Sequence, residues 1–111
     1  MIQASFKRNG KGDIVSFEVT GHAESGPYGS DIVCAAVSAL TIGLTNSLSV
    51  LTGKTPFIQE TNEIEGGYLY VEISKAFSEE QLKISQVILE SLLISLTGIA
   101  EEYAEYIQIN D

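Results

Sequence analysis

The sequence predicts an α+β fold, a layered sandwich of a mostly antiparallel sheet and two helices in the order ββ-α-ββ-α-β. Three observations carry that expectation. Apolar and polar residues alternate with period two over the first twenty positions and again between Phe57 and Ile73. Two long segments, Asp31 to Leu51 and Ser78 to about Tyr103, instead repeat apolar residues at helical spacing. Each pair of alternating stretches is joined by a glycine-containing turn, the mark of a hairpin, so neighbouring strands run antiparallel and leave one face for the helices.

Each element has its own signal. Ile2, Ala4 and Phe6 alternate with Gln3, Ser5 and Lys7, and Val15, Phe17 and Val19 alternate with Ser16, Glu18 and Thr20. Asn9 to Asp13 supplies the turn between them. In the helix from Asp31, the small residues Ala35, Ala36, Ala39 and Gly43 keep one side thin, a face expected to pack close against the sheet or the second helix. Gly53 and Pro56 end it. Phe57 to Glu65 is the weaker strand of the second hairpin, Gly66-Gly67 its turn, and Leu69, Val71 and Ile73 the inward face of its better strand. Ser78 and Gln81 have capping-box spacing and start the second helix. Ile107 and Ile109 then alternate with Tyr106, Gln108 and Asn110 as a short last strand.

With 111 residues and no linker, repeat or low-complexity tract, the chain reads as one domain, 1–111. Six basic residues stand against 15 acidic ones, a net charge of −9. That argues against a nucleic-acid partner, whose phosphates are bound by Lys and Arg, and favours a basic polypeptide. The stretch Ile32 to Leu51 is uncharged and long, but it carries several Ser, Thr and Asn residues and no flanking basic cluster, so it is read as a helix inside the domain and no membrane partner is expected. A single cysteine suits a reducing compartment, and the absence of a leader pattern after Met1 points to the cytoplasm. One Cys and one His cannot furnish the four ligands of a closed zinc site. Nor do Gly26 and Gly29 form a phosphate loop, which needs a following Lys. No metal and no cofactor are expected.

The chemistry concentrates where the only histidine, His22, and the only cysteine, Cys34, bracket a short loop that runs into the first helix. Asp31 reads as the N-cap, accepting from the Cys34 amide and placing Cys34 in the first turn. Helix-start amides carry about half a positive charge, which favours a thiolate and could hold an oxyanion. A nearby imidazole can serve such a sulfur as base and acid. Each residue also has a plainer reading. Taken singly, Cys34 reads more readily as a small buried hydrophobe, His22 as a strand-end residue, and Asp31 as a cap without further role.

The run Gly21-His22-Ala23, then Tyr28-Gly29, then Asp31-Ile32-Val33-Cys34-Ala35-Ala36-Val37-Ser38-Ala39-Leu40 resembles the signature of the ribosomal-processing cysteine protease family, Prp, and the likeness extends more loosely over the whole chain. The resemblance implies a cysteine endopeptidase with a Cys-His dyad. Cys34 would be the nucleophile, His22 the general base and acid, and Asp31 a supporting residue. The implied substrate is large-subunit ribosomal protein twenty-seven, from which a short N-terminal extension ending in a Phe-Phe-type segment is removed. The plainer alternative for such a pocket is a ribosome-associated module that binds a peptide without cutting it.

Three further expectations follow. The loop from Ala23 to Ser30, with Gly26, Tyr28, Gly29 and Ser30 as substrate-loop residues, is expected to be mobile without ligand and ordered by peptide. Tyr28, Phe57, Tyr68 and Tyr70 are candidate pocket walls. A homodimer is expected, because the second helix is roughly 40 Å long at 1.5 Å per residue and its apolar residues wrap more than one face.

Overall fold

The computed structural model describes residues 1–21, 30–61 and 67–111, with the side chains of Ser30 and Asp31 outside that description. Its elements are β1 (Ile2–Arg8), β2 (Ile14–Thr20), α1 (Ser30–Thr52), β3 (Phe57–Thr61), β4 (Tyr68–Glu72), α2 (Glu79–Glu102) and β5 (Ile107–Asn110). The five strands form one mixed sheet in the order β3-β4-β2-β1-β5. The expected α+β sandwich and element order are therefore present. The two hairpins pair antiparallel, Phe6 opposite Phe17 and Ile58 opposite Val71. The second is joined to the first by β2 against β4.

The one parallel pair is at β5, which runs parallel to β1 with Ile2 opposite Ile107. A helix of 24 residues, about 36 Å, carries the chain from the end of β4 back to the end where β1 begins. The last strand therefore has to set out in the same direction as β1. Two antiparallel hairpins closed by one parallel edge make the sheet mixed.

Period-two alternation decides the two faces. Ile2, Ala4, Phe6, Phe17, Val71 and Ile107 point to one side and are buried with Val33, Val37 and Leu48 of α1 and Ile88, Leu89, Leu92 and Leu96 of α2. Phe6 and Phe17 stack with ring centroids 5.7 Å apart. Ser5, Glu18, Tyr70 and Glu72 lie on the opposite face, which no helix covers. At the edge nearest the C-terminus, Arg8 donates to both Glu90 (2.7 Å) and Asp111 (3.0 Å), tying β1 to α2 and to the chain end.

The caps follow the sequence. Ser78 accepts from the Gln81 amide while Gln81 accepts from the Ser78 amide, so both partners of the capping box are engaged. Gly53 adopts φ +73°, and its amide donates to the Ser49 carbonyl, closing α1 with a left-handed residue that suits glycine. The buried hydroxyls of Thr41 and Thr45 donate to the carbonyls of Val37 and Thr41, so α1 carries polar residues inward without leaving them unpaired. By length and composition alone Ile32–Thr52 and Glu79–Glu102 would each suffice to cross a membrane. In this fold each sends one face into the core.

The thin face of α1 does not go where the sequence suggested. Val33, Val37, Thr41 and Leu48 make the buried side, whereas Ala35, Ala39 and Gly43 are exposed. The bulkier β-branched and leucine stripe fills the space over the sheet, and of the four small residues three are left on the outside, with Ala36 half-buried. The length argument for a partner also weakens. The molecule measures 45 Å along its long axis, so α2 fits within it.

Candidate active site

Cys34 is the fifth residue of α1. With Val37, Ser38, Thr41 and Ile42 it forms one helix stripe, because positions three, four, seven and eight apart share a face. That stripe is one wall of a cavity of about 200 Å³. Ile2, Val19, Gly21, Gly67, Tyr68 and Leu69 and the end of β3, Glu60 and Thr61, complete the described lining. The cavity thus sits at the sheet end where β2 and β3 finish, β4 starts and α1 begins. It opens between the exposed Ser38 and Ile42 of the helix and the exposed Glu60 and Thr61 of the edge strand. Cys34 itself is half-buried and packs against the core.

Gly21, the residue before His22, lines the same cavity. It is held from two sides. Its amide donates to the Gly67 carbonyl at 3.1 Å, and its φ of +85° turns the chain where a Cβ would collide with the Met1 carbonyl oxygen. Only glycine satisfies both the conformation and the contact. The chain therefore leaves β2 toward His22 from a fixed point on the lining of the cavity that also holds Cys34. Replacing Gly21 with Ala is expected to lower unfolding free energy by about 2 kcal/mol or more, combining left-handed strain with a backbone clash. Gly12→Ala makes the comparison, since Gly12 has φ +86° but nothing within 4 Å of its would-be Cβ. Urea unfolding of the two variants should therefore show a clearly larger loss at Gly21, and equal losses would remove the clash from the account.

The expected site residues fall into three groups. Cys34 is placed on the cavity wall. His22, Gly26, Tyr28 and Gly29, and the expected mobility of the loop, lie outside the described residues, as do the side chains of Ser30 and Asp31. The capping expectation for Asp31 is corrected. Because α1 begins at Ser30, Asp31 is its second residue rather than its cap, and Cys34 follows the first turn rather than standing in it. An α-helix that begins at Ser30 gives the Cys34 amide the Ser30 carbonyl one turn back, so that amide is not a spare oxyanion donor.

Of the candidate aromatic walls, Tyr68 is among the residues at the cavity, but its side chain lies on the other face of the sheet, beside Glu18. Its hydroxyl donates to Glu18 at 3.0 Å, and burial, helped by that carboxylate, raises its ionisation above the ordinary tyrosine range. Phe57 and Tyr70 instead meet edge to face at 6.1 Å and are not among the lining residues. Residues the sequence reading passed over are Gly21 as an anchor, the Ser38–Ile42 stripe, and Glu60. Glu60 had a readable signal, since period two places this charge on the same face as Ile58, toward the helices.

A sulfur on the wall of a side-chain-sized cavity, at the mouth of an edge strand, is an arrangement suited to a peptide-handling thiol enzyme. A model of the cysteine protease Prp family matches residues 1–108, and the chain belongs to that family; it is a cysteine peptidase. Among its relatives is the ribosomal processing cysteine protease Prp of Bacillus subtilis (strain 168), 35% identical over 109 residues that cover 98% of this chain and 96% of the relative. Solved structures agree. The crystal structure of SMU.848 from Streptococcus mutans superposes with a TM-score of 0.86 at 40% identity, covering 99% of this chain and 92% of that one. The ribosomal processing protease Prp from Staphylococcus aureus, in complex with a covalently linked product peptide, gives a TM-score of 0.81 at 33% identity, with 99% and 98% covered.

Proposed function

We propose that the chain is a cytoplasmic processing endopeptidase that removes the N-terminal extension of large-subunit ribosomal protein twenty-seven, with Cys34 as nucleophile and His22 as general base and acid. The observation that carries this reading is the shared cavity: Cys34 on one wall and Gly21, the residue that launches the chain toward His22, on another. The product-peptide complex of the Staphylococcus aureus relative supports it.

The chemistry is acyl transfer. His22 takes the thiol proton as the Cys34 sulfur bonds to the scissile carbonyl carbon. Collapse of the tetrahedral intermediate breaks the C–N bond, and His22 returns the proton to the leaving amine. Water, deprotonated by His22, then hydrolyses the thioester and regenerates the thiol. Since the Cys34 amide is engaged along the helix, the oxyanion takes its donors from elsewhere in the site. Asp31 has a supporting role, and Gly26, Tyr28, Gly29 and Ser30 belong to the substrate loop. The test is incubation with a synthetic extended N-terminus containing Phe-Phe, read by mass spectrometry. A single internal cut supports the reading. Binding without cleavage supports the non-catalytic module instead.

The active unit is a homodimer of single-domain chains. What supports this is the outward face of α1, where Ile32, Ile42 and Val50 are 50%, 52% and 77% exposed beside the exposed Ala35, Ala39 and Gly43, an uncharged surface that no other described residue covers. Val87 and Ile94 on α2 are similarly bare, at 70% and 72%. Light scattering at micromolar concentration should give twice the chain mass, and a monomeric mass would refute the dimer.

A further inference from the structure

Among the described residues that line the Cys34 cavity, Glu60 is the only charged one. The rest of the described lining is apolar or neutral. Glu60 is exposed at the end of β3, and among the described residues no Lys or Arg lies within ion-pair reach of it.

The wider charge distribution points the same way. Lys7 and Arg8 end β1 and Lys11 lies in the turn after it. Lys54 follows α1, Lys75 follows β4, and Lys83 is in the first turns of α2. Following the direction of each element, all six basic residues of the chain fall at the end opposite the cavity. Contacts there confirm the grouping: Lys54 Nζ donates to the Ala76 carbonyl at 3.1 Å, and Gln81 reaches the Thr52 carbonyl at 2.9 Å. The cavity end keeps Glu60, Glu101, Glu102 and Glu105 without a compensating Lys or Arg. β3 is also an edge strand, paired on one side only, with all five residues exposed. An extended peptide can lie along that edge and pass the cavity mouth.

We propose that Glu60 is a specificity-determining residue, pairing with a Lys or Arg of the peptide substrate that lies next to the apolar side chain held in the Cys34 cavity. The inference rests on the peptidase reading above and adds to it a substrate class, an extended peptide with an apolar residue and a cation close to the scissile bond. Strands advance about 3.3 Å per residue, so a cavity this size puts the cation within about three residues of the cut. A charge turned inward on an edge strand also has a purely protective use, keeping strands of other molecules from adding. That use is indifferent to the sign of the charge, whereas recognition is not.

The experiment uses one extended peptide with Lys, norleucine or Glu placed in turn at each of the three positions on either side of the cut, against wild type, Glu60→Gln and Glu60→Lys. Circular dichroism first confirms the fold, which an exposed residue at a strand end should not disturb. Wild type is expected to favour Lys over norleucine in kcat/KM by about two- to fivefold at one or two positions, the scale of an exposed ion pair. The gain should appear in KM and shrink with added salt. Glu60→Gln should flatten the preference, and Glu60→Lys should invert it toward the Glu peptide, a swing of about tenfold. Preferences identical in all three proteins would overturn the proposal. Should wild type cut none of the peptides, the peptidase reading fails by itself, and the same series measured as binding to Cys34→Ala still decides Glu60. Unequal affinities that follow the sign of residue 60 support it, and equal affinities overturn it.

Discussion

Cys34→Ala is expected to abolish cleavage while leaving the fold in place. In the proposed mechanism the sulfur is the atom that forms the bond to substrate, and the chain has no second cysteine to take over. Ser38 stands one turn further along the same wall, but a hydroxyl is intrinsically a far weaker nucleophile than a thiol and is not a substitute. The structural cost is small. Cys34 is half-buried and packs on the rim of the core, so losing one sulfur should cost about 1 kcal/mol, the scale of a single deleted group. Urea unfolding measures that cost separately from activity. Alkylating reagents should inactivate wild type, and metal chelators should not. Residual cutting by the alanine variant would end the assignment.

The second large effect is at His22. His22→Ala should lower kcat by about 10²-fold or more, the usual contribution of a positioned acid-base group. Some activity survives because the cavity still orients the peptide against the sulfur. The comparison with Gly21→Ala separates chemistry from placement. Losing the imidazole should leave unfolding nearly unchanged, whereas the Gly21 change strains the backbone against Met1 and lowers stability and activity together. Stability equal to wild type in both variants, with activity lost in both, would mean that Gly21 acts on the chemistry and not through the backbone.

Much of this was legible because it depends on local periodicity. The β1-β2 hairpin, the capping box at Ser78 and the glycine end of α1 are each specified within a few residues. What escaped depends on distant geometry. The direction of β5 is set by the length of α2 rather than by Ile107 or Ile109. The outward turn of Ala35, Ala39 and Gly43 follows from which α1 stripe has the volume to fill the space over the sheet, a competition that the small residues lose. Asp31 looked like a cap because Asp is a good one, yet the helix starts at Ser30, two residues before the Ile32 that such a cap would precede. In the site, Cys34 stood out as a singleton. Gly21 and Glu60 did not, because the contact with Met1 and the opening toward α1 exist only once the strands are paired.

The central claim is that Cys34 becomes acylated by the peptide it cuts. Wild-type protein mixed with a molar excess of an extended Phe-Phe-containing peptide, quenched in acid within the first turnover and digested, should yield one modified fragment. Its mass should exceed the unmodified fragment by that of the N-terminal product less one water, and tandem mass spectrometry should place the addition on Cys34. Neutral hydroxylamine should remove it, as expected of a thioester. Cleavage that proceeds with the label on another residue, or undiminished after Cys34 is fully alkylated, would contradict the account.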